Sequence, residues 1–118
     1  MNTTDIMTNE DLAAWAATDQ AKTVTYLNLW GTQVTDLSPL AGLNQLTSLK
    51  LWGTKVSDIS PLAGLKQLTH LDLFNTNVTD LNPLKELKQL TYLDLRGTQV
   101  SDLTPLQPLI DKGLYVYM

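Results

Sequence analysis

A phrase of 22 residues recurs four times without a gap, and that recurrence limits the fold more than any other property of the chain. TYLNLWGTQVTDLSPLAGLNQL begins at Thr25, TSLKLWGTKVSDISPLAGLKQL at Thr47 and THLDLFNTNVTDLNPLKELKQL at Thr69, while TYLDLRGTQVSDLTPLQPL begins at Thr91 before the tail diverges. A lone unit cannot bury its own apolar side chains, whereas stacked units cover one another, and such arrays need about three units to be stable. In the unit from Thr47, Leu49, Leu51, Val56, Ile59, Leu62, Leu65 and Leu68 form the expected core. Each contributes roughly 1.5–3 kcal/mol on burial, which offsets the ordering entropy only when neighbours lie on both sides.

Each unit reads as a short strand, a tight turn and a return arm. Leu27 and Leu29, and their equivalents at 49/51, 71/73 and 93/95, point to one side because strand side chains alternate. Gly31, Gly53, Asn75 and Gly97 then mark a left-handed turn, since Gly and Asn tolerate positive φ. Val34, Val56, Val78 and Val100 re-enter the core. The pairs Ser38-Pro39, Ser60-Pro61, Asn82-Pro83 and Thr104-Pro105 join an N-cap residue type to proline, predicting a short 3₁₀ turn that starts at each Pro. Asp36, Asp58, Asp80 and Asp102 just upstream are read as acceptors for backbone N–H groups of that turn.

L-x-x-L-x-L-x-x-T-x-V, as in Leu46 to Val56, followed by SDISPLAGL, resembles a leucine-rich repeat of the bacterial, internalin-like 22-residue type. The resemblance spans about Val24 to Leu109. It implies an α/β fold: a right-handed solenoid with a parallel β-sheet on the concave face and short 3₁₀ or irregular turns on the convex face. It also implies a protein that binds other proteins through the concave face. Thr32, Thr54, Thr76 and Thr98 stand where the family carries a ladder Asn; their hydroxyls can still bond turn backbone, with fewer donors.

Solenoids need covered ends. Residues 1–23 are expected to form a helical cap, 24–109 the four repeats and 110–118 a terminal strand, all within one domain. Thr8-Asn-Glu-Asp11 resembles a capping box, after which Leu12, Trp15 and Ala16 share a face and Trp15 can lie over the first repeat. At the other end Leu114 and Val116 are expected inward and Tyr115 and Tyr117 outward, on a strand with a bare edge open to self-association.

The outward residues of the strands form three columns: Tyr26, Ser48, His70, Tyr92; then Asn28, Lys50, Asp72, Asp94; then Trp30, Trp52, Phe74, Arg96, with Tyr117 as a fifth member. Strands about 4.8 Å apart bring such rings side by side. Cross-strand aromatic pairing alone stabilises a sheet. However, three rings in a row, in a chain with 7% aromatic residues, point to a contact surface. The candidate binding residues are Tyr26, Trp30, Trp52, His70, Phe74, Tyr92 and Arg96. Lys50, Asp72 and Asp94 set orientation and, with Arg96, form a solvated cluster. A protein or peptide ligand is the first reading, a glycan the second, and a structural module that self-assembles through the terminal edge the alternative.

Other classes fit less well. Asp72 and Asp94 could approach the roughly 5–5.5 Å separation of a retaining glycosidase, but an open, water-filled face with cations nearby suits no such acid. His70 is the sole histidine and no cysteine is present, so neither a metal site nor a cofactor is expected. A net charge of −4 and a pI near 4.6 argue against nucleic acid. Without a long apolar run or a basic N-terminus, no membrane association is expected. The default compartment is the cytoplasm, or the exterior for a trimmed fragment.

Overall fold

A computed structural model describes residues 8–118, so residues 1–7 of the expected cap lie outside the described part. Five three-residue strands, β1 (Tyr26–Asn28), β2 (Ser48–Lys50), β3 (His70–Asp72), β4 (Tyr92–Asp94) and β5 (Tyr115–Tyr117), form one parallel sheet in chain order. Register is set by the repeat: Leu27 faces Leu49, Leu49 faces Leu71 and Leu71 faces Leu93. A one-residue slip would turn every leucine to water, so the pairing has no competitor. The sheet and its short connections give the expected leucine-rich-repeat solenoid.

The core is a stack of identical layers. Leu49, Leu51, Val56, Leu62, Leu65 and Leu68 are completely buried, and Ile59 nearly so. Gly31, Gly53, Asn75 and Gly97 all adopt positive φ, between 59° and 75°. Beyond the strands the coils remain bonded: the Leu29 N–H donates to the Lys50 carbonyl at 2.8 Å and the Gly31 N–H to the Trp52 carbonyl at 2.9 Å, a pattern the next coils repeat. Before β2, β3 and β4 a threonine adds a side-chain rung. Thr47, Thr69 and Thr91 donate their hydroxyls to the carbonyls of Thr25, Thr47 and Thr69, each at 3.1 Å. The turn threonines bond within their own coil instead: the Thr54 hydroxyl donates to the Leu51 carbonyl at 2.8 Å and that of Thr76 to Leu73 at 2.9 Å.

The return arms hold 3₁₀ turns at Ser38–Leu40, Ser60–Leu62, Asn82–Leu84 and Thr104–Leu106. Proline occupies the second position, not the first, and the residue before it makes no side-chain cap. The cap comes from the aspartate two residues upstream, whose carboxylate accepts the backbone N–H of Ser38, Ser60, Asn82 or Thr104 at 2.9 Å. A carboxylate two residues back reaches that N–H through an Asx turn, so the hydroxyl of the pre-proline residue is not needed as an acceptor.

At the N-terminal end, α1 (Asn9–Ala16) starts in a full capping box between Thr8 and Asp11. Asn9 ties it down by accepting the N–H groups of Thr35 and Asp36 at 2.9 and 3.1 Å. Leu12, Trp15 and Ala16 are buried, and the Trp15 indole N–H finds no acceptor among the described residues. The C-terminal end holds a helix that the repeat did not announce, α2 (Gln107–Asp111), with Pro108 in its first turn. Apolar Leu106, Leu109 and Ile110 have helical spacing, and that signal was present in the sequence. The longer connection shifts the last strand: strict periodicity would place Leu114 opposite Tyr92, but Tyr115 stands there and Tyr117 faces Asp94. Tyr117 therefore extends the middle column, not the Trp30 column, and Tyr115 extends the first.

Two predictions follow from these turns. Gly31→Ala should cost roughly 1–2 kcal/mol in urea unfolding, the penalty of a left-handed alanine. Gly97→Ala should cost more, because at a similar φ its new methyl would meet the Asn75 backbone at 3.2–3.3 Å while the Gly31 site is open. The second concerns acid. Hydrogen bonds from Ser38, Ser60 and Asn82, mainly their backbone N–H, hold Asp36, Asp58 and Asp80 below the ordinary 3.8; for Asp102 the Thr104 hydroxyl is the first cause and its N–H the second. Depressed carboxyls stabilise the fold above their unfolded pKa and lose that contribution as pH falls through the folded one. The melting temperature should therefore drop below about pH 4, and replacing all four by Asn, which keeps an acceptor but does not titrate, should flatten that drop.

Candidate functional site

The middle column of the sheet positions the aromatic column beside it. The Asn28 amide oxygen accepts the Trp30 N–H at 3.0 Å, Asp72 accepts the Phe74 N–H at 2.9 Å and Asp94 accepts the Arg96 N–H at 3.0 Å. Each bond satisfies a backbone donor where the chain leaves the strand for the left-handed turn. Lys50 has no acceptor to offer at the equivalent place; its ammonium lies 5.9 Å from the Tyr26 ring centroid instead.

The rings then align. Trp30 and Trp52 stack with centroids 4.8 Å apart and planes 13° from parallel, the spacing that the strands impose. Phe74 meets Trp52 edge-on at 5.3 Å. Trp30 is 58% and Trp52 39% exposed, whereas Trp15, the third tryptophan, is 5% exposed. The Arg96 guanidinium closes the row, 4.9 Å from the Phe74 centroid and 3.9 Å from that of Tyr117.

A second row runs along the first column. His70 stacks on Tyr92 at 5.9 Å, Tyr92 on Tyr115 at 6.0 Å, and Tyr115 meets Tyr117 edge-on at 6.0 Å. Burial, followed by the Asp94 carboxylate, raises the Tyr92 phenol above its ordinary pKa. Tyr26 lies on the same face but is separated from this row by Ser48. Two shallow depressions occupy the space, one of about 530 Å³ lined by the Trp30–Arg96 row and the middle column, the other of about 430 Å³ between Ser48, His70 and Tyr92.

The four charges do not form one solvated cluster. Asp94 is 2% exposed and holds Arg96 through two further bonds, Nε to Oδ1 at 3.2 Å and Nη2 to Oδ2 at 2.8 Å. This contact, above all the hydrogen bond, raises the guanidinium pKa further. Asp94 is the buried member of this pair, while Arg96, under the rings of Phe74 and Tyr117, and Asp72 stay partly exposed and Lys50 is exposed. With three bonds committed to Arg96, Asp94 cannot act as the second acid of a hydrolytic pair with Asp72. Thus all ten sequence-predicted residues share the open face, but two of them, Asp94 and Arg96, form a fixed clamp. Asn28 was overlooked as an orienting residue, although it shares a column with Asp72 and Asp94. Among the described residues no group of His, Cys, Asp or Glu is placed to hold a metal ion, and no helix is long and apolar enough to cross a membrane.

Comparison with known proteins gives a family match and several solved relatives. The family described as leucine-rich repeats (2 copies) matches residues 22–64 and 66–108. An internalin (inlF) from Listeria monocytogenes is 32% identical with a TM-score of 0.74, over 81% of this chain and 28% of its own. An internalin C2 from the same organism is 34% identical with a TM-score of 0.73, over 88% of this chain and 54% of its own. A leucine-rich-repeat protein of Leptospira interrogans, 23% identical over 84% of this chain and 32% of its own, shares the fold with a TM-score of 0.59. The chain thus spans well under two thirds of these proteins. Among curated proteins no sequence match is found.

Asp94→Ala removes three charge-assisted bonds from a buried carboxylate site and should destabilise the protein by roughly 1.5–3 kcal/mol or more. Asp72→Ala, which removes one bond from a half-exposed site, should cost less; chemical denaturation of both variants checks the order.

Proposed function

The chain belongs to the leucine-rich repeat family, with internalin-like repeats of the bacterial type, and on that premise we propose that it is a non-catalytic module binding a protein or peptide across the open face of its sheet. One observation carries the reading: two of its three tryptophans are held in a stacked pair on the surface while the third lies in the core. A solvent-facing pair of indoles, continued by Phe74 and flanked by His70 and Tyr92, is the composition of an interaction hot spot. Asn28 and Asp72 hold the backbone that carries Trp30 and Phe74, and the rings stack on one another, which lowers the ordering entropy that binding costs. Lys50 and Asp72 supply opposite charges that orient a partner. Tyr26 adds contact area at the edge.

A protein partner fits this face better than a glycan. Sugars pack on broad open ring faces, and Trp52 has one face covered by Trp30 and its other side against the edge of Phe74. Of the stacked tryptophan pair, the outer face of Trp30 is the one left as a platform. The net charge of −4 speaks against nucleic acid, and the three bonds that commit the buried Asp94 to Arg96 speak against catalysis.

The Trp30→Ala/Trp52→Ala variant tests this proposal. Both side chains are exposed, so unfolding should weaken by no more than about 1.5 kcal/mol, the worth of a stacked pair. Partners that the wild type captures under cross-linking should bind at least about 30-fold more weakly, as expected when a hot spot of 2 kcal/mol is lost. Equal capture by both proteins, or selective binding on a glycan array, would sink the protein-binding assignment.

A further inference from the structure

The open face of the sheet is a trough between two rims. The parallel ladder continues past each strand, with the Leu29 and Gly31 N–H groups bonded to the Lys50 and Trp52 carbonyls, so the chain stays extended from Tyr26 to Trp30. Four residues of extended chain set the column of Tyr26, His70 and Tyr92 about 13 Å from that of Trp30, Trp52 and Phe74. Between them the floor is low. Asn28, Asp72 and Asp94 each bend back to accept the N–H two residues on. The two depressions are halves of this trough, since Lys50 and Asp72 line both. At β5 the floor rises: Tyr117 stands in the middle column with the Arg96 guanidinium over its ring.

Two opposite charges stand in the floor without neutralising each other. Lys50 and Asp72 are register partners on β2 and β3, yet among the described residues no ion pair joins them, whereas Asp94 is paired with Arg96. The geometry points to an amphipathic α-helix as the occupant, lying along the trough and across the strands, with an acidic residue on Lys50 and a basic residue one turn away on Asp72. This assignment names the shape and charge of the partner and rests on the reading of the face as a protein-binding surface.

Dimensions favour a helix over an extended peptide. An α-helix with its side chains is roughly 10–12 Å across, close to the spacing of the rims. A single extended strand occupies about 4.8 Å and leaves most of the trough empty. One helical turn rises about 5.4 Å, within about 0.6 Å of the strand spacing, so successive turns meet successive coils. Extended chain returns a side chain to the same side only every 6.6 Å or so, about 1.8 Å out of step at each strand. On a helix, residues i and i+4 have Cβ atoms about 5–6 Å apart, the separation needed to answer Lys50 and Asp72 together. Apolar residues flanking that charged stripe then meet Trp30, Trp52 and Phe74 on one rim and His70 and Tyr92 on the other.

Two displayed libraries test the assignment: a stable three-helix scaffold with one helix face randomised, and unstructured linear peptides of similar length. Panned on the wild-type chain, the helical library should yield clones that bind at least about tenfold more tightly than the best linear ones, because a preformed helix costs less to order. Their contact stripe should carry Asp or Glu three or four positions from Lys or Arg. Lys50→Glu, at an exposed site, should weaken these clones at least about tenfold, and changing the acidic residue of the clone to Lys should restore binding to that variant. Asp72→Asn keeps the acceptor for the Phe74 N–H while dropping the charge, and should also weaken them. Every clone is counter-screened on Trp30→Ala/Trp52→Ala. Tryptophan-dependent clones that are linear, or helical ones indifferent to Lys50→Glu, overturn the helix and leave the protein-binding face standing. If neither library yields a tryptophan-dependent clone, both readings fall.

Discussion

Each coil of this protein is stable because the next coil covers its leucines. No layer has a second shell to retreat into: Leu49 and Leu51 reach zero exposure only with Leu27 and Leu29 on one side and Leu71 and Leu73 on the other. That dependence fixes the strand register, and the register fixes everything outward of it. Hydrogen bonding follows the same geometry, with backbone rungs on both sides of the strand and threonine hydroxyls before it, so that few polar groups are left for water to compete over.

The ends show what happens where that mutual covering stops. Trp15 and Leu12 replace a missing coil at the start, and Asn9 fastens their helix by serving two N–H groups of the first return arm. The other end has α2 leading into β5, which pairs with β4. The two ends differ in sequence: an apolar helix face precedes the first repeat, whereas exposed Tyr115 and Tyr117 flank half-buried Val116 in β5.

Much of this was legible in the residues. The repeat length gave the sheet, its parallel order and the core, because each unit had to place its leucines on those of the next. Positive φ at Asn75 and three glycines followed from the same column. Departures from that reading came where a local contact competes with periodicity. Pre-proline Ser38 looks like a cap, yet Asp36 reaches its N–H first. Asp94 and Arg96 look like two solvated charges in neighbouring columns, yet the folded chain buries the carboxylate and holds the guanidinium on it under the rings of Phe74 and Tyr117. Tyr117 was set in the wrong column because α2 lengthens the last connection by one residue, a change that strict periodicity cannot register.

The third column also shows how loosely the outer face is coupled to the scaffold. Trp30, Trp52, Phe74 and Arg96 occupy the same place in four nearly identical coils, yet the last of them exchanges an aromatic ring for a cation. The inward leucines beside them do not change. The residue at this outward place can therefore change from coil to coil while the leucine frame that carries it stands still.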